Sequence, residues 1–250
     1  MLPGTRPVGV HVQVSESRMD LIRATIEGPA GTPYEGGLYV IDIFLPSTYP
    51  AVPPKAHYWA WGKYINPNLY AEGKVCLSLL GTWSGPGWDP EVSTLLQLLV
   101  SVQGLILIEH PYCNEPGQHR DGGSPQSVEY NKTVHAGVLD NMVRMSKDPP
   151  MGLAPLVQEF LQREGVALLD RARCYPNEKI NESNIAAMNK ALLGNAEDAA
   201  SARKVSAAEG ALLPKTELPS WLIVADEAFV SGYGDANAGE DDSDFDGDDY

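Results

Sequence analysis

Asn66-Pro67-Asn68 is followed, after seven residues, by Cys76 within Lys74-Val75-Cys76-Leu77-Ser78. A lone thiol within reach of a side-chain amide is equipment for acyl transfer. The sulfur can carry an acyl group as a thioester, and the amide N–H can steady the oxyanion that forms on attack. A free thiol titrates near about 8.5, so only a few per cent is thiolate at neutral pH. Exchange from an incoming thioester is nearly isoenergetic, so strong activation is unnecessary. Both residues also have a plainer reading. Asn-Pro-Asn is a good turn sequence, and most lone cysteines simply pack.

The elements that must position this pair read as a sheet followed by helices. Strands are expected at Val10–Val14, Leu21–Ile26, Leu38–Leu45 and Ala56–Trp59. In the third, Tyr39, Ile41, Ile43 and Leu45 alternate with Val40, Asp42 and Phe44. Pro46, Pro50, Pro53 and Pro54 then break regular structure. Beyond Cys76, Leu79–Asp89 is a Gly- and Trp-rich loop, and Asp89-Pro90 reads as a helix start with Asp89 as cap. Leu95, Leu98, Leu99, Val102, Leu105 and Ile106 fall at helical spacing, a scaffold helix over Leu95–Ile108. His110-Pro111 ends it, and a polar loop leads to helices over Val128–Lys147 and Leu153–Tyr175, the latter interrupted at Gly165. Past Pro176 the chain turns Ala/Asn/Glu-rich. Ile180–Leu193 is a marginal helix there, and the rest is expected to be weakly ordered.

Composition narrows the function. The 43% apolar content supports a core, and no run of 18 apolar residues or basic-then-apolar leader is present. No membrane partner is therefore expected. Three cysteines, Cys76, Cys113 and Cys174, lack metal spacing and suit free thiols in a reducing compartment, cytoplasm or nucleus. Residues 235–250 hold seven Asp and one Glu with no Lys or Arg, so this tail supplies −8 of the net −15. Such a surface argues against nucleic acid, whose binding needs basic groups to displace phosphate counterions.

Five pieces in register resemble the ubiquitin-conjugating (UBC) family. They are Ile26-Glu27-Gly28-Pro29; Thr32-Pro33-Tyr34-Glu35-Gly36-Gly37; Phe44-Leu45-Pro46 with Tyr49-Pro50 and Pro53-Pro54-Lys55; Asn66-Pro67-Asn68; and Gly73-Lys74-Val75-Cys76-Leu77-Ser78. Leu80-Gly81-Thr82-Trp83, Gln103-Gly104-Leu105-Ile106-Leu107 and Pro111-Tyr112-Cys113-Asn114-Glu115 are similar to the large hybrid enzymes that combine conjugating and ligase activity. The resemblance implies an α+β UBC-like fold, an antiparallel meander sheet packed by a central helix and C-terminal helices. It implies a domain over 1–175, an extension over 176–234 and an acidic tail over 235–250. Where typical members have a structural His before Pro-Asn, this chain has Asn66. The family's basic first helix should precede Val10, where nine residues stand, so the domain reads as lacking it.

The resemblance also implies roles. Cys76 would carry ubiquitin as a thioester, Asn68 would hold the loop and donate to the oxyanion, and a gate that accepts the substrate lysine's proton would fall at His110 or Glu109. Ubiquitin and its activating enzyme are the implied partners, with a ligase and protein substrates; no cofactor or metal is implied. Two other readings compete. A catalytically silent UBC-like module that only binds ubiquitin would fit the missing first helix but not Cys76. A cysteine hydrolase needs a His paired with the thiol and a third orienting group. No motif around His11, His57, His110, His119 or His135 supplies them.

Overall fold

The computed structural model describes residues 9–15, 17–61, 64–118 and 121–174, with 183, 185–187, 189 and 190. Its sheet is an antiparallel meander of β1 (Val10–Val14), β2 (Leu21–Glu27), β3 (Leu38–Phe44) and β4 (Lys55–Tyr58), in that spatial order. Val10 pairs with Ile26, Ile26 with Tyr39, and Ile41 with Tyr58, so one face gathers Ala24, Ile26, Tyr39, Ile41, Ile43 and Tyr58. All six are buried. On the other face Val40, Thr25, Arg23 and Asp42 are buried too.

The last helix explains that second buried face. It runs unbroken as α3 (Ala154–Cys174), and its contacts follow the Arg23–Glu27 face of the sheet. Gln13 Nε2 donates to Gly152 O at 3.2 Å and Arg23 Nη1 to Met151 O at 2.8 Å, just before the helix. Arg163 Nη2 then reaches Glu27 Oε2 at 2.6 Å, and Arg171 Nη1 reaches Glu35 Oε1 at 2.5 Å. The Arg23–Asp42 pair beneath is bidentate, at 2.6 and 2.7 Å, and Trp59 Nε1 donates to the same carboxylate at 2.8 Å. A charge pair can be buried at tolerable cost when its hydrogen bonds are completed in this way. The expected break at Gly165 is absent. The ~1 kcal/mol cost of a mid-helix glycine is offset by the buried neighbours Leu161, Leu168 and Leu169.

Before it, α2 spans Pro125–Lys147, three residues longer at its start than the apolar spacing indicated. Ser124 caps it, accepting from Ser127 N at 3.3 Å, and Pro125 fits the first turn, where no N–H is needed. Val134, Val138, Leu139 and Met142 enter the core. Met142 Sδ accepts from Leu38 N at 3.2 Å.

The scaffold helix departs further from expectation. It begins at Leu95, not at Asp89-Pro90, and α1 proper covers Leu95–Ser101. Asp89 instead closes a turn, accepting from Glu91 N on its carboxylate at 2.9 Å and from Ser93 N on its carbonyl at 2.8 Å. Thr94 and Gln97 make a reciprocal capping box that out-competes it. From Val102 to Ile106 the helix widens to a π turn, with Leu107 N bonded to Val102 O at 3.1 Å. One extra residue per turn shifts the phase. Leu105, expected inside, is 61% exposed, and Leu107 takes its place at 1%.

The expected extension over 176–234 and tail over 235–250 lie outside the described residues except for six positions. Among those, Ile185 and Ala187 are half-buried against the core, within the expected Ile180–Leu193 helix.

Candidate active site

The chain from β4 to Cys76 is held by one buried amide. Asn66 is fully buried and uses both ends of its side chain. Its Nδ2 donates to Tyr34 Oη at 2.6 Å and to Ile106 O at 2.7 Å, while its Oδ1 accepts from Asn68 N at 2.7 Å. Tyr34 Oη in turn donates to Ile65 O at 3.1 Å, and burial raises this phenol well above its ordinary range. Asn66 thus ties the turn to the π segment and to the β2–β3 connection. That tie fixes where Asn68 begins.

Asn68 and Cys76 then meet twice. Cys76 N donates to Asn68 O at 2.9 Å, and Asn68 Nδ2 donates to Cys76 O at 3.1 Å. Isolated bridges between Leu69 and Val75 and between His57 and Lys74 carry the pairing along the loop. One hydrogen of the Asn68 amide is therefore spent on the Cys76 carbonyl. Its Oδ1 is buried without a partner among the described residues.

The turn depends on a close approach at Gly73. Its φ is +97°, and an added Cβ would lie 2.0 Å from His57 Cε1. Only glycine admits both the backbone angle and the imidazole. Burial pushes the His57 imidazole below its ordinary pKa, and the Asp42 carboxylate partly offsets this.

Cys76 is 3% exposed as a residue. Burial pushes its thiol up, while the Lys74 ammonium and the nearby Tyr70 hydroxyl pull it down, and Glu72 adds a small upward push. The balance is upward, so the thiol form predominates at neutral pH. Around it stand Tyr70 and Tyr64, edge to face with centroids 5.8 Å apart, and Lys74 Nζ lies 5.6 Å over the Tyr70 ring.

The acid at this aromatic pair is Glu115. It lies close to Tyr64, whose phenol is pushed up to about 12 by burial first and then by the Glu115 charge. Its charge is also felt by Tyr70 and Tyr130. A 3-10 turn over Pro111–Asn114 delivers it, pinned where Asn114 Nδ2 donates to Leu105 O at 2.9 Å. The π segment, by exposing Leu105, presents that carbonyl.

His110 sits elsewhere. Its ring lies against Gly122, where an added Cβ would come within 2.1 Å, and its Nδ1 is buried without a partner among the described residues. Glu109 lies 3.6 Å from its other nitrogen, and Glu109 O accepts from Asn131 of α2 at 2.9 Å. The structure thus brings Asn68 to Cys76, sets the Glu115 carboxylate beside the tyrosine pair and places the His110 ring against Gly122. The reading of Pro111-Tyr112-Cys113-Asn114-Glu115 contained that acid. Counting backwards from Pro111 led to Glu109 and His110, whereas the 3-10 turn carries the chain after the proline toward Tyr64.

Cys76, Cys113 and Cys174 are all free thiols. Among the described residues no cluster of three or more His, Cys, Asp or Glu could hold a metal, and no helix is long and apolar enough to cross a membrane.

A four-stranded meander with a buried thiol on the loop after it, opposite an Asn-Pro-Asn turn, defines a UBC-type carrier domain. The chain belongs to the ubiquitin-conjugating enzyme family, whose model matches residues 3–136. "Probable ubiquitin-conjugating enzyme E2 23" of Arabidopsis thaliana is 43% identical over 182 residues, 70% of this chain and 16% of that protein. "Probable ubiquitin-conjugating enzyme E2 25" of the same plant is 52% identical over 151 residues, 58% of this chain and 25% of that protein. The human "Dual E2 ubiquitin-conjugating enzyme/E3 ubiquitin-protein ligase BIRC6" is 40% identical over 149 residues, 57% of this chain and 3% of that protein. The chain therefore spans a quarter or less of the length of these relatives.

Proposed function

We propose that this chain accepts ubiquitin as a thioester on Cys76 and passes it to a lysine. The observation that carries the reading is the double tie between Asn68 and Cys76. It fixes the thiol-bearing peptide and leaves a second amide hydrogen for an oxyanion. In the first step the Cys76 thiolate attacks the ubiquitin thioester on the activating enzyme. A new C–S bond forms, the old one breaks, and the departing thiolate takes up a proton. In the second, a deprotonated lysine Nζ attacks the Cys76 thioester, a C–N bond forms and the Cys76 sulfur leaves.

The lysine proton, held with a pKa of about 10.4 in water, goes to the Glu115 carboxylate and on to solvent. The tyrosine pair offers the incoming ammonium aromatic faces on its way. ATP is spent upstream by the activating enzyme, and a ligase would supply the substrate. Three free thiols suit the reducing cytoplasm or nucleus.

Single-turnover discharge tests this. The protein is charged with activating enzyme, ATP and ubiquitin, charging is quenched, and free lysine is added. Loss of thioester with a matching gain of ubiquityl-lysine supports transfer. Asn68→Ala should charge but discharge about 10²–10³-fold more slowly, as for one oxyanion donor. Thioester lost only to water, at a rate lysine does not change, would refute transfer.

A further inference from the structure

The Thr82 hydroxyl bridges the peptides on either side of the nucleophile. Its Oγ1 donates to Val75 O at 2.6 Å, accepts from Leu77 N at 2.9 Å and lies 3.2 Å from Leu77 O. A hydroxyl is the smallest group that can donate and accept at once. The backbone around it is built to return Thr82 to this place. After Cys76 the chain makes a 3-10 turn over Ser78–Leu80, and Gly81 ends it in the left-handed region with φ 69°, its N–H bonded to Ser78 O at 2.9 Å. Thr82 N then bonds Leu77 O at 3.3 Å. Trp83 and the rest of the loop follow outward from this knot.

The bonds divide the labour around Cys76. Asn68 holds the N–H and C=O of Cys76 itself. Thr82 holds the carbonyl before it and the N–H after it. Because each peptide is planar, Val75 O moves with Cys76 N–H and Leu77 N–H with Cys76 O, so Asn68 and Thr82 grip the same two peptide planes from opposite edges. We infer that Thr82 is a positioning residue for transfer: its hydroxyl clamps Val75 and Leu77 so that the Cys76 thioester carbonyl stays in register with the Asn68 amide. The inference rests on the thioester reading above. Among the described residues its hydrogen bonds go to the Val75 and Leu77 backbone, so its effect runs through the peptide geometry and not through the lysine's proton.

Two measurements on Thr82→Val, Thr82→Ser and the unaltered chain test it. Valine keeps the shape and removes the hydroxyl; serine keeps the hydroxyl. The first is amide hydrogen exchange on uncharged protein, read at Cys76, whose N–H bonds Asn68 and not Thr82. Thr82→Val should raise its exchange at least tenfold, and Thr82→Ser should restore protection. Unchanged protection at Cys76 in Thr82→Val overturns the clamp.

The second is single-turnover discharge to free lysine. Thr82→Val should lower the maximal rate about 10- to 100-fold, the scale of a small misplacement at a reacting centre. The lysine concentration for half-maximal rate should not move. In an Asn68→Ala background the same substitution should cost less than about threefold further, because both act on one geometry. Equal losses in both backgrounds, or discharge unchanged in Thr82→Val, overturn the inference while leaving the carrier reading intact. Absence of thioester on the unaltered chain overturns that reading and the inference with it.

Discussion

Replacing Asn66 with alanine removes the one side chain that binds the turn, the π segment and Tyr34 together. Three bonds vanish, at 2.6, 2.7 and 2.7 Å. Tyr34 keeps its bond to Ile65 O, so two groups are orphaned: Ile106 O and Asn68 N. Each buried unsatisfied group costs about 1–3 kcal/mol, which puts the loss at about 2–6 kcal/mol, centred near 4. At a urea slope of about 2 kcal/mol/M, the unfolding midpoint should fall by about 2 M with the slope unchanged.

Tryptophan fluorescence reads it, since Trp59 and Trp61 pack on the core. Discharge should slow in the folded fraction, because Asn68 N is among the groups released. Asn66→His, which offers one donor and one acceptor, should lose under about 2 kcal/mol. A midpoint shift below about 0.5 M for Asn66→Ala, or a histidine substitution no better than alanine, would refute the hub.

Gly73→Ala forces a Cβ into the His57 ring at a φ of +97°. It should destabilise by at least about 2 kcal/mol, and an unchanged thermal midpoint would contradict this. His57 and His135 are both half-buried, with pKa values lowered chiefly by desolvation. The unfolded chain therefore binds more protons, so their contribution is full above about pH 6.5 and is lost as pH falls below it. Urea midpoints should drop from pH 7.5 to 5.5, less steeply in His57→Gln; a flat profile would contradict this. Glu115→Gln should slow lysine discharge about 10- to 100-fold without altering charging. His110→Gln should change discharge less than about twofold. The reverse ranking would return the gate to His110.

The meander was legible because its strands are short, apolar and bounded by proline and glycine turns. So was the thiol opposite the Asn-Pro-Asn turn. What could not be read were features set by competition between neighbours. Asp89-Pro90 and Thr94-Gln97 are both helix starts in isolation, and only the reciprocal bonds of the second decide between them. The π turn at Val102–Ile106 breaks the helical period on which Leu105 was placed inside. The second face of the sheet is buried by a helix more than 100 residues away in sequence, as the Arg163–Glu27 separation of 136 residues shows. Glu115 and Thr82 reach the site through a 3-10 turn and a left-handed glycine, and neither leaves a periodic signal.

The central claim is that Cys76 itself bears the acyl group. Charged protein, taken from a reaction with activating enzyme, ATP and ubiquitin, should be measured by intact mass and then peptide-mapped without reductant. The account predicts one added ubiquitin less one water, located at Cys76, released by thiol reductant and absent from Cys76→Ala. A thioester mapped to Cys113 or Cys174, or one that persists in Cys76→Ala, would contradict it.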